Sequence, residues 1–136
     1  MLNDRRPPRP TAPHLMDGPR FHWRWGPHML VSILHRVSGT VLSLAGLPIL
    51  IVWLGALVAG PDTYASFAGA TETLLGRFVL FVVSWAFFMH MLSGLRHFVL
   101  DAGAGYELQT NKRWALVILV AAPLMTVLFW ILVLSR

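Results

Sequence analysis

Three long apolar runs, separated by short polar segments, dominate the pattern of hydrophobic and polar positions along this chain. The first run, 37–60, and the third, 114–135, contain no charged residue. The second, 78–95, has His90 as its single ionisable group. Because about 20 apolar residues in a helix cross the hydrocarbon of a bilayer, and each run is close to that length or longer, the pattern predicts three transmembrane helices. We expect these spans at 29–59, 77–100 and 114–135.

Ahead of the first span lies an arm, 1–27, that is rich in Pro and Arg and is expected to be extended without a core of its own. The remainder, 28–136, is expected to form a membrane-anchor domain. The predicted fold class is therefore an all-α integral membrane protein. Three helices enclose little interior in which polar groups could be hidden, so we expect them to form part of a heteromeric helix bundle.

Turn residues mark the connections between the spans. Gly60 and Pro61 predict a turn that leads into a short outer connection, 62–76. A glycine-containing break at 101–105 ends the second span and begins an inner loop. Pro48 predicts a kink inside the first span, because proline removes a helical hydrogen bond.

The basic residues concentrate on one side of the predicted membrane. The chain has 11 Lys and Arg against 6 Asp and Glu. Six basic residues precede or open the first span and three flank the second connection, whereas Arg77 and Arg136 belong to the opposite side. The positive-inside rule then places the N-terminus inside and the C-terminus outside. The charge is thus a topology signal, and we expect no nucleic-acid partner.

Cysteine and proline usage narrow the chemistry and the location. The chain has no cysteine, which excludes disulfides, thiolate clusters and a catalytic thiol. Four prolines, between positions 7 and 13, stand where a signal peptide would be apolar or a mitochondrial transit peptide amphipathic. We therefore expect a multi-pass protein of a bacterial inner membrane, in preference to the mitochondrial inner membrane.

Polar residues gather on one face at the start of the first span. Ser32, His35, Arg36 and Gly39 are spaced at i, i+3, i+4 and i+7. One interpretation is an arginine that extends to the lipid headgroups with polar neighbours. The other is a pocket that offers a hydroxyl, an imidazole and a guanidinium to an anionic or carbonyl-bearing ligand.

A second cluster lies on the second span, where His90, Gly94, His97 and Asp101 form one stripe. His90 is about ten residues from the inner end, so roughly 15 Å deep along the helix axis. An ionisable residue at that depth indicates a functional site. The group that best suits an imidazole there is haem iron, which histidine binds as an axial ligand. Gly94 leaves a gap that suits a flat macrocycle or a closely packed helix. Arg96 and His97 lie at the level that haem propionates would reach.

These residues carry a resemblance to a known family. The relevant segments are SILHRVSG at 32–39, HMLSGLRHFVLDAG at 90–103 and RPTAPHL at 9–15. Together with the three-span layout they resemble the large cytochrome b subunit of succinate dehydrogenase, respiratory complex II.

The resemblance implies a set of cofactors and partners. The subunit would pair with a second small membrane-anchor subunit and hold an iron–sulfur subunit and a flavoprotein subunit at the inner face. One haem b would lie between the anchors, with His90 as an axial ligand and His35, Arg36 and His97 in the propionate region. Ubiquinone would bind at Ser32 and Arg36. The chain has no flavin or dinucleotide motif, so we expect no succinate oxidation by the chain itself.

Three other interpretations stay open from the residues. The same fold could anchor a quinol:fumarate reductase, since the direction depends on cofactor potentials. It could be a haem-free structural anchor in which His90 only packs. It could be a small transporter or proton-conducting bundle that uses His35, His90 and Asp101, although the outer half of the spans has almost no polar residues.

Overall fold

The computed structural model describes residues 16–17, 20–21 and 26–135, and its body is helical throughout. Two short antiparallel strands, β1 and β2, precede five α-helices, and a π-helical turn separates the first two helices. The strands are Met16–Asp17 and Arg20–Phe21, and the helices are α1 Pro27–Val41, α2 Leu47–Ala59, α3 Pro61–Glu72, α4 Leu74–Asp101 and α5 Leu108–Leu134, with the π turn at Leu42–Gly46. The predicted all-α class is confirmed.

Three helical segments are long and apolar enough to cross a membrane, as the hydropathy pattern predicts. They cover Pro27–Ala59, Leu74–Asp101 and Leu108–Leu134. The first consists of α1, the π turn and α2, which follow one another without a break. The second begins three residues earlier than predicted, with Leu74, Leu75 and Gly76 ahead of Arg77, and the third begins six residues earlier because mostly polar residues continue the helix ahead of its apolar run. The direction of insertion rests on the positive-inside rule and stays a prediction.

A π turn, Leu42–Gly46, lies just before Pro48, at the point where the sequence predicts a kink. Pro48 has no N–H group, so it cannot bond to the carbonyl of Leu44 four residues back. Just before it, the N–H of Leu47 bonds instead to the carbonyl of Leu42, five residues back. The helix absorbs the missing bond by widening locally, and α2 continues with Pro48 in its first turn.

The outer connection differs from the prediction, since 62–76 is largely helical. Gly60 adopts a φ of 109° and caps α3, which has Pro61 in its first turn and runs for 12 residues. Proline at that position is already set for a helix, and the alanines that follow favour one. Thr73 then starts α4, because its hydroxyl oxygen accepts a hydrogen bond from the N–H of Gly76 at 3.0 Å. The absence of an amphipathic pattern concealed this helix in the sequence.

The break predicted at 101–105 is present. The N–H of Ala102 bonds back to the carbonyl of Phe98, and Gly103 and Gly105 follow with φ angles of 84° and 79°. Such left-handed conformations end helices and cost glycine little. We call the end of the bundle that carries this loop the inner end, after the predicted topology.

The core of the bundle is small and lies where the three long segments meet. Seven apolar residues and three polar ones are buried among the residues described. The central cluster comprises Val31, Met89, Ala115, Ile118 and Ala122. Most larger apolar side chains of the spans are exposed on the isolated chain, up to 90% at Val58. Contiguous exposure on this scale fits contact with lipid and with other membrane helices.

Candidate functional site

His90 of α4 points its ring at the backbone of α1. Its Nδ1 atom lies 3.1 Å from the carbonyl oxygen of His35 and 3.4 Å from the hydroxyl oxygen of Ser38. Ser38 is fully buried, and its hydroxyl donates to the same carbonyl at 3.0 Å. The two polar clusters of the sequence therefore meet across the α1–α4 contact.

The hydrogen bonding of His90 fixes which nitrogen is free. A carbonyl oxygen can only accept, so Nδ1 must carry the proton that it shares with His35. In a neutral imidazole the Nε2 atom then keeps its lone pair. Histidines that bind metals generally donate their second N–H group to a carbonyl or a carboxylate in this way. The arrangement suits His90 as a metal ligand through Nε2.

Gly39 makes room for this ring. A Cβ atom at position 39 would lie 3.0 Å from Cε1 and 3.3 Å from Nδ1 of His90, which is closer than ordinary contact. On α4, a Cβ atom at Gly94 would meet no atom within 4 Å. The surface beside Gly94 is thus open on this chain, as the approach of a macrocycle or of a partner helix requires.

Three imidazole rings form a stack at the α1–α4 contact. The ring centres of His35 and His90 are 4.2 Å apart, with 30° between their planes. The ring centre of His97 is 4.9 Å from that of His35, with 33° between the planes. We call His90, His35 and His97 the histidine stack. It extends from the depth of His90 toward the inner end.

An apolar groove of about 500 Å³ lies on the outer side of the stack, one turn or more from His90 along α4. It runs between the π turn and α4, and Leu42, Gly46, Val83 and Phe87 are among its lining residues. Phe87 and Val83 precede His90 by three and seven residues, so they share its face of α4. The groove is an apolar surface outward of His90 that a ligand or a partner side chain could contact.

Ser32 and Arg36 lie on α1 next to the stack but outside it. Ser32 is half-buried and Arg36 is exposed. Neither side chain forms a hydrogen bond or an ion pair with the other residues that the structure describes. Both polar groups are therefore open to a ligand or a partner near the inner end.

Arg96 points to a different side of α4 from the histidine stack. Its guanidinium Nη2 donates to the Oδ1 atom of Asn111 on α5, and so it faces away from His90, while its place at the level of the propionates stays a prediction. The reason is helical geometry, because six residues after His90 correspond to about 240° around the axis. His97, seven residues after His90, returns to the face of the stack.

Sequence reasoning missed the role of Ser38. It lies within the quoted segment 32–39, yet no function was assigned to it. The sequence gives little indication of this role, because the hydroxyl of a serine in an apolar helix can bond to a carbonyl of the same helix and needs no other partner. Ser93, one turn from His90, is also buried, and its hydroxyl has no partner within the part of the chain described.

Among the residues described, no three His, Asp or Glu side chains gather as a metal site. A metal held here by this chain would therefore receive one ligand from the stack and the others from elsewhere. A haem meets that condition, because the porphyrin supplies four nitrogens and the protein only axial ligands. The free Nε2 atom, the space at Gly39 and the open surface at Gly94 fit such a group.

Comparison with known proteins gives a consistent result. The chain is 32% identical over 123 residues to the succinate dehydrogenase cytochrome b556 subunit of Rickettsia felis, covering 90% of this chain and 91% of that protein. It is 30% identical over 128 residues to the subunit of the same name from Paracoccus denitrificans, covering 94% of each. It is also 31% identical over 129 residues to the cytochrome b560 subunit of Reclinomonas americana, covering 91% of this chain and 85% of that protein.

Residues 5–131 match the family described as succinate dehydrogenase/fumarate reductase transmembrane subunit. That range contains all three apolar helices up to the last turn of α5, the histidine stack, Ser32 and Arg36. With the fold, the motifs and the relatives in agreement, this chain belongs to the succinate dehydrogenase/fumarate reductase transmembrane subunit family.

Proposed function

We propose that this chain is the cytochrome b membrane anchor of a succinate:ubiquinone oxidoreductase in a bacterial inner membrane. In this role it binds haem b and ubiquinone and helps electrons pass from the iron–sulfur subunit to ubiquinone. The observation that carries the proposal is the contact between His90 Nδ1 and the His35 carbonyl, which leaves Nε2 free for iron.

His90 would hold the iron of haem b through its Nε2 atom. Bound haem supplies a one-electron redox centre close to the quinone. The His35 carbonyl and Ser38 orient the imidazole of His90, and Gly39 provides the space in which it sits. The other anchor subunit would supply the second protein ligand, because the described part of this chain gathers no further metal-binding group beside His90.

The polar residues on the inner side of His90 form the propionate region. His35 and His97 continue the stack toward the inner end, and Arg36 is exposed on the adjoining face of α1. Their donors and the arginine charge offset negative carboxylates where the surroundings have a low dielectric constant.

Ser32 and Arg36 bind the quinone oxygens. Quinone reduction adds two electrons and two protons, so negative charge builds on the oxygens before the protons arrive. The Ser32 hydroxyl and the Arg36 guanidinium stabilise that charge by hydrogen bonds, as donors in an oxyanion hole do. Both stand in the first three turns of α1, where the inner aqueous phase can supply protons.

The remaining chemistry belongs to partners. Because the chain has no flavin or dinucleotide motif, a flavoprotein subunit oxidises succinate and an iron–sulfur subunit delivers the electrons. A second small anchor covers part of the apolar surface that the three spans expose. With the N-terminus inside, these soluble subunits dock at the inner end.

The test is the reduced-minus-oxidised spectrum of the purified complex. His90→Ala is expected to abolish or shift the b-type bands, because iron loses an axial ligand. His28→Ala is the matched control, since it removes an imidazole seven residues before His35 and is expected to leave the bands unchanged. An unaltered spectrum in His90→Ala would show that another residue holds the haem, with His97 as the next candidate, whereas a wild-type complex without b-type bands would leave the structural-anchor interpretation.

A further inference from the structure

A second groove lies between α4 and α5 at the inner end, on a different side of α4 from the histidine stack. Its volume is about 270 Å³. Its walls are apolar and include Leu92, Leu95, Val99, Trp114, Val117 and Ile118. Arg96 and Asn111 also line it, so one charged group stands in an otherwise apolar cleft.

The guanidinium of Arg96 is only partly satisfied. Its Nη2 atom donates to Asn111, whereas its Nε atom is buried and has no partner among the residues described. A guanidinium carries five donors in a planar fork that matches an oxyanion. A buried charged donor without an acceptor is costly, so the groove favours an acceptor that the described part of the chain does not provide there.

Two shallower depressions extend this groove along α5. The first is lined by Thr110, Arg113, Trp114 and Val117, so it shares two residues with the groove. The second also includes Val117 and continues outward to Leu124. Thr110 to Leu124 corresponds to about 21 Å along a helix, which exceeds one leaflet of a hydrocarbon layer about 30 Å thick. The combined surface is basic at its inner end and apolar outward.

We propose that this α4–α5 surface binds one anionic phospholipid of the inner leaflet. Its phosphate accepts hydrogen bonds from Arg96, and an acyl chain lies along α5 past Val117. Lys112 and Arg113 at the start of α5 favour a lipid with net negative charge, since basic residues at a membrane surface attract anionic lipid. A free phosphate would leave the apolar part of the cleft without an occupant.

The carboxylates near this end do not compete for the arginine. Asp101 ends α4 and Glu107 precedes α5, and both are exposed. Within the described part of the chain, neither forms an ion pair with Arg96. The α4–α5 surface does not include the residues that we propose for haem and quinone binding, so one proposal can fail while the other stands.

The experiment uses the assembled complex in bilayer nanodiscs of phosphatidylcholine with a minor fraction of phosphatidylglycerol. Native mass spectrometry after release counts the phospholipids that each complex retains. The wild type is expected to retain one phosphatidylglycerol, and Arg96→Gln to bind it about tenfold to a hundredfold more weakly. Arg77→Gln, at the exposed outer side, is the matched control and is expected to retain it.

A second variant keeps Arg96 and fills the cleft. Val117→Phe is expected to expel the lipid, and Val127→Phe, further out on α5, to leave it bound. If the Arg96→Gln complex fails to assemble, the retention of phosphatidylglycerol in Val117→Phe and Val127→Phe still tests the proposal.

Several results would overturn the proposal. One is equal retention of phosphatidylcholine and phosphatidylglycerol by the wild type, and another is unchanged retention in Val117→Phe. A third is stabilisation by inorganic phosphate alone to the same extent as by the lipid. A fourth is photocrosslinking from position 117 to a partner subunit instead of to lipid.

Discussion

Gly39→Ala perturbs the seat of His90 without removing any functional group. The new Cβ atom would lie 3.0 Å from Cε1 of His90. Favourable carbon contacts lie at about 3.5–4.0 Å, so the ring must retreat by roughly 0.5 Å. That movement would lengthen the 3.1 Å contact between Nδ1 and the His35 carbonyl to about 3.6 Å, beyond hydrogen-bond distance.

The effect of Gly39→Ala depends on the balance between a gain in helix propensity and the costs of overpacking and of a lost hydrogen bond. Alanine is favoured over glycine inside a helix by about 0.5–1 kcal/mol. Overpacking costs about 1–3 kcal/mol, and the lost hydrogen bond costs about 0.5–1.5 kcal/mol more. The penalty exceeds the gain by about 2 kcal/mol. Because haem binding requires the His90 ring in its original position, up to this amount opposes binding, which corresponds to at most roughly 30-fold weaker retention of haem.

The assay measures the haem content of the purified complex and the rate at which a haem scavenger removes it. Gly55→Ala is the matched control, because a Cβ atom there would meet no atom within 4 Å. It should retain haem as the wild type does and gain slightly in helix stability. If both variants lose haem at the wild-type rate and show the wild-type spectrum, the packing of the His90 ring against α1 does not determine how firmly haem is held.

The remaining predictions concern the quinone and the topology. Ser32→Ala should lower succinate:quinone turnover by about 10²- to 10³-fold while succinate oxidation with an artificial acceptor persists, and Arg36→Leu should do the same if the complex assembles. Ser43→Ala is the control, and wild-type quinone turnover and inhibitor binding in Ser32→Ala would refute this site. A reporter fused after Arg136 should be active only on the outer side, so cytoplasmic activity would contradict the N-inside topology.

The fold was largely predictable because the length and the apolar composition of each span identify it as a transmembrane helix. In a chain of this size, three apolar runs that are long enough to cross a bilayer and contain a single ionisable residue among them are stable only as transmembrane helices. Helix α3 was not predictable in the same way, since it buries no residue and presents no apolar stripe. Its signals were only Pro61 at its start and the alanines that follow.

The candidate site was predictable as two clusters but not as one unit. Spacing placed Ser32, His35 and Arg36 on one face and His90 with His97 on another. It could not show that His90 contacts a backbone carbonyl 55 residues away, because that contact depends on how α1 and α4 cross. The direction of Arg96 could have been found by counting residues around the helix.

The π turn has a consequence for how the two halves of the first span face their surroundings. A bond that reaches back five residues accommodates one residue more than a regular turn, and one residue corresponds to about 100° of rotation. The stripe through His35, Gly39 and Leu42 therefore cannot be extended to α2 by counting in fours. Deleting Ala45 would therefore restore a regular helix whose two halves keep their relative orientation, whereas deleting one residue from the regular part of α2 would turn everything beyond it by about a quarter of a revolution. The deletion within α2 changes which side chains face each side of the span far more than it shortens the span.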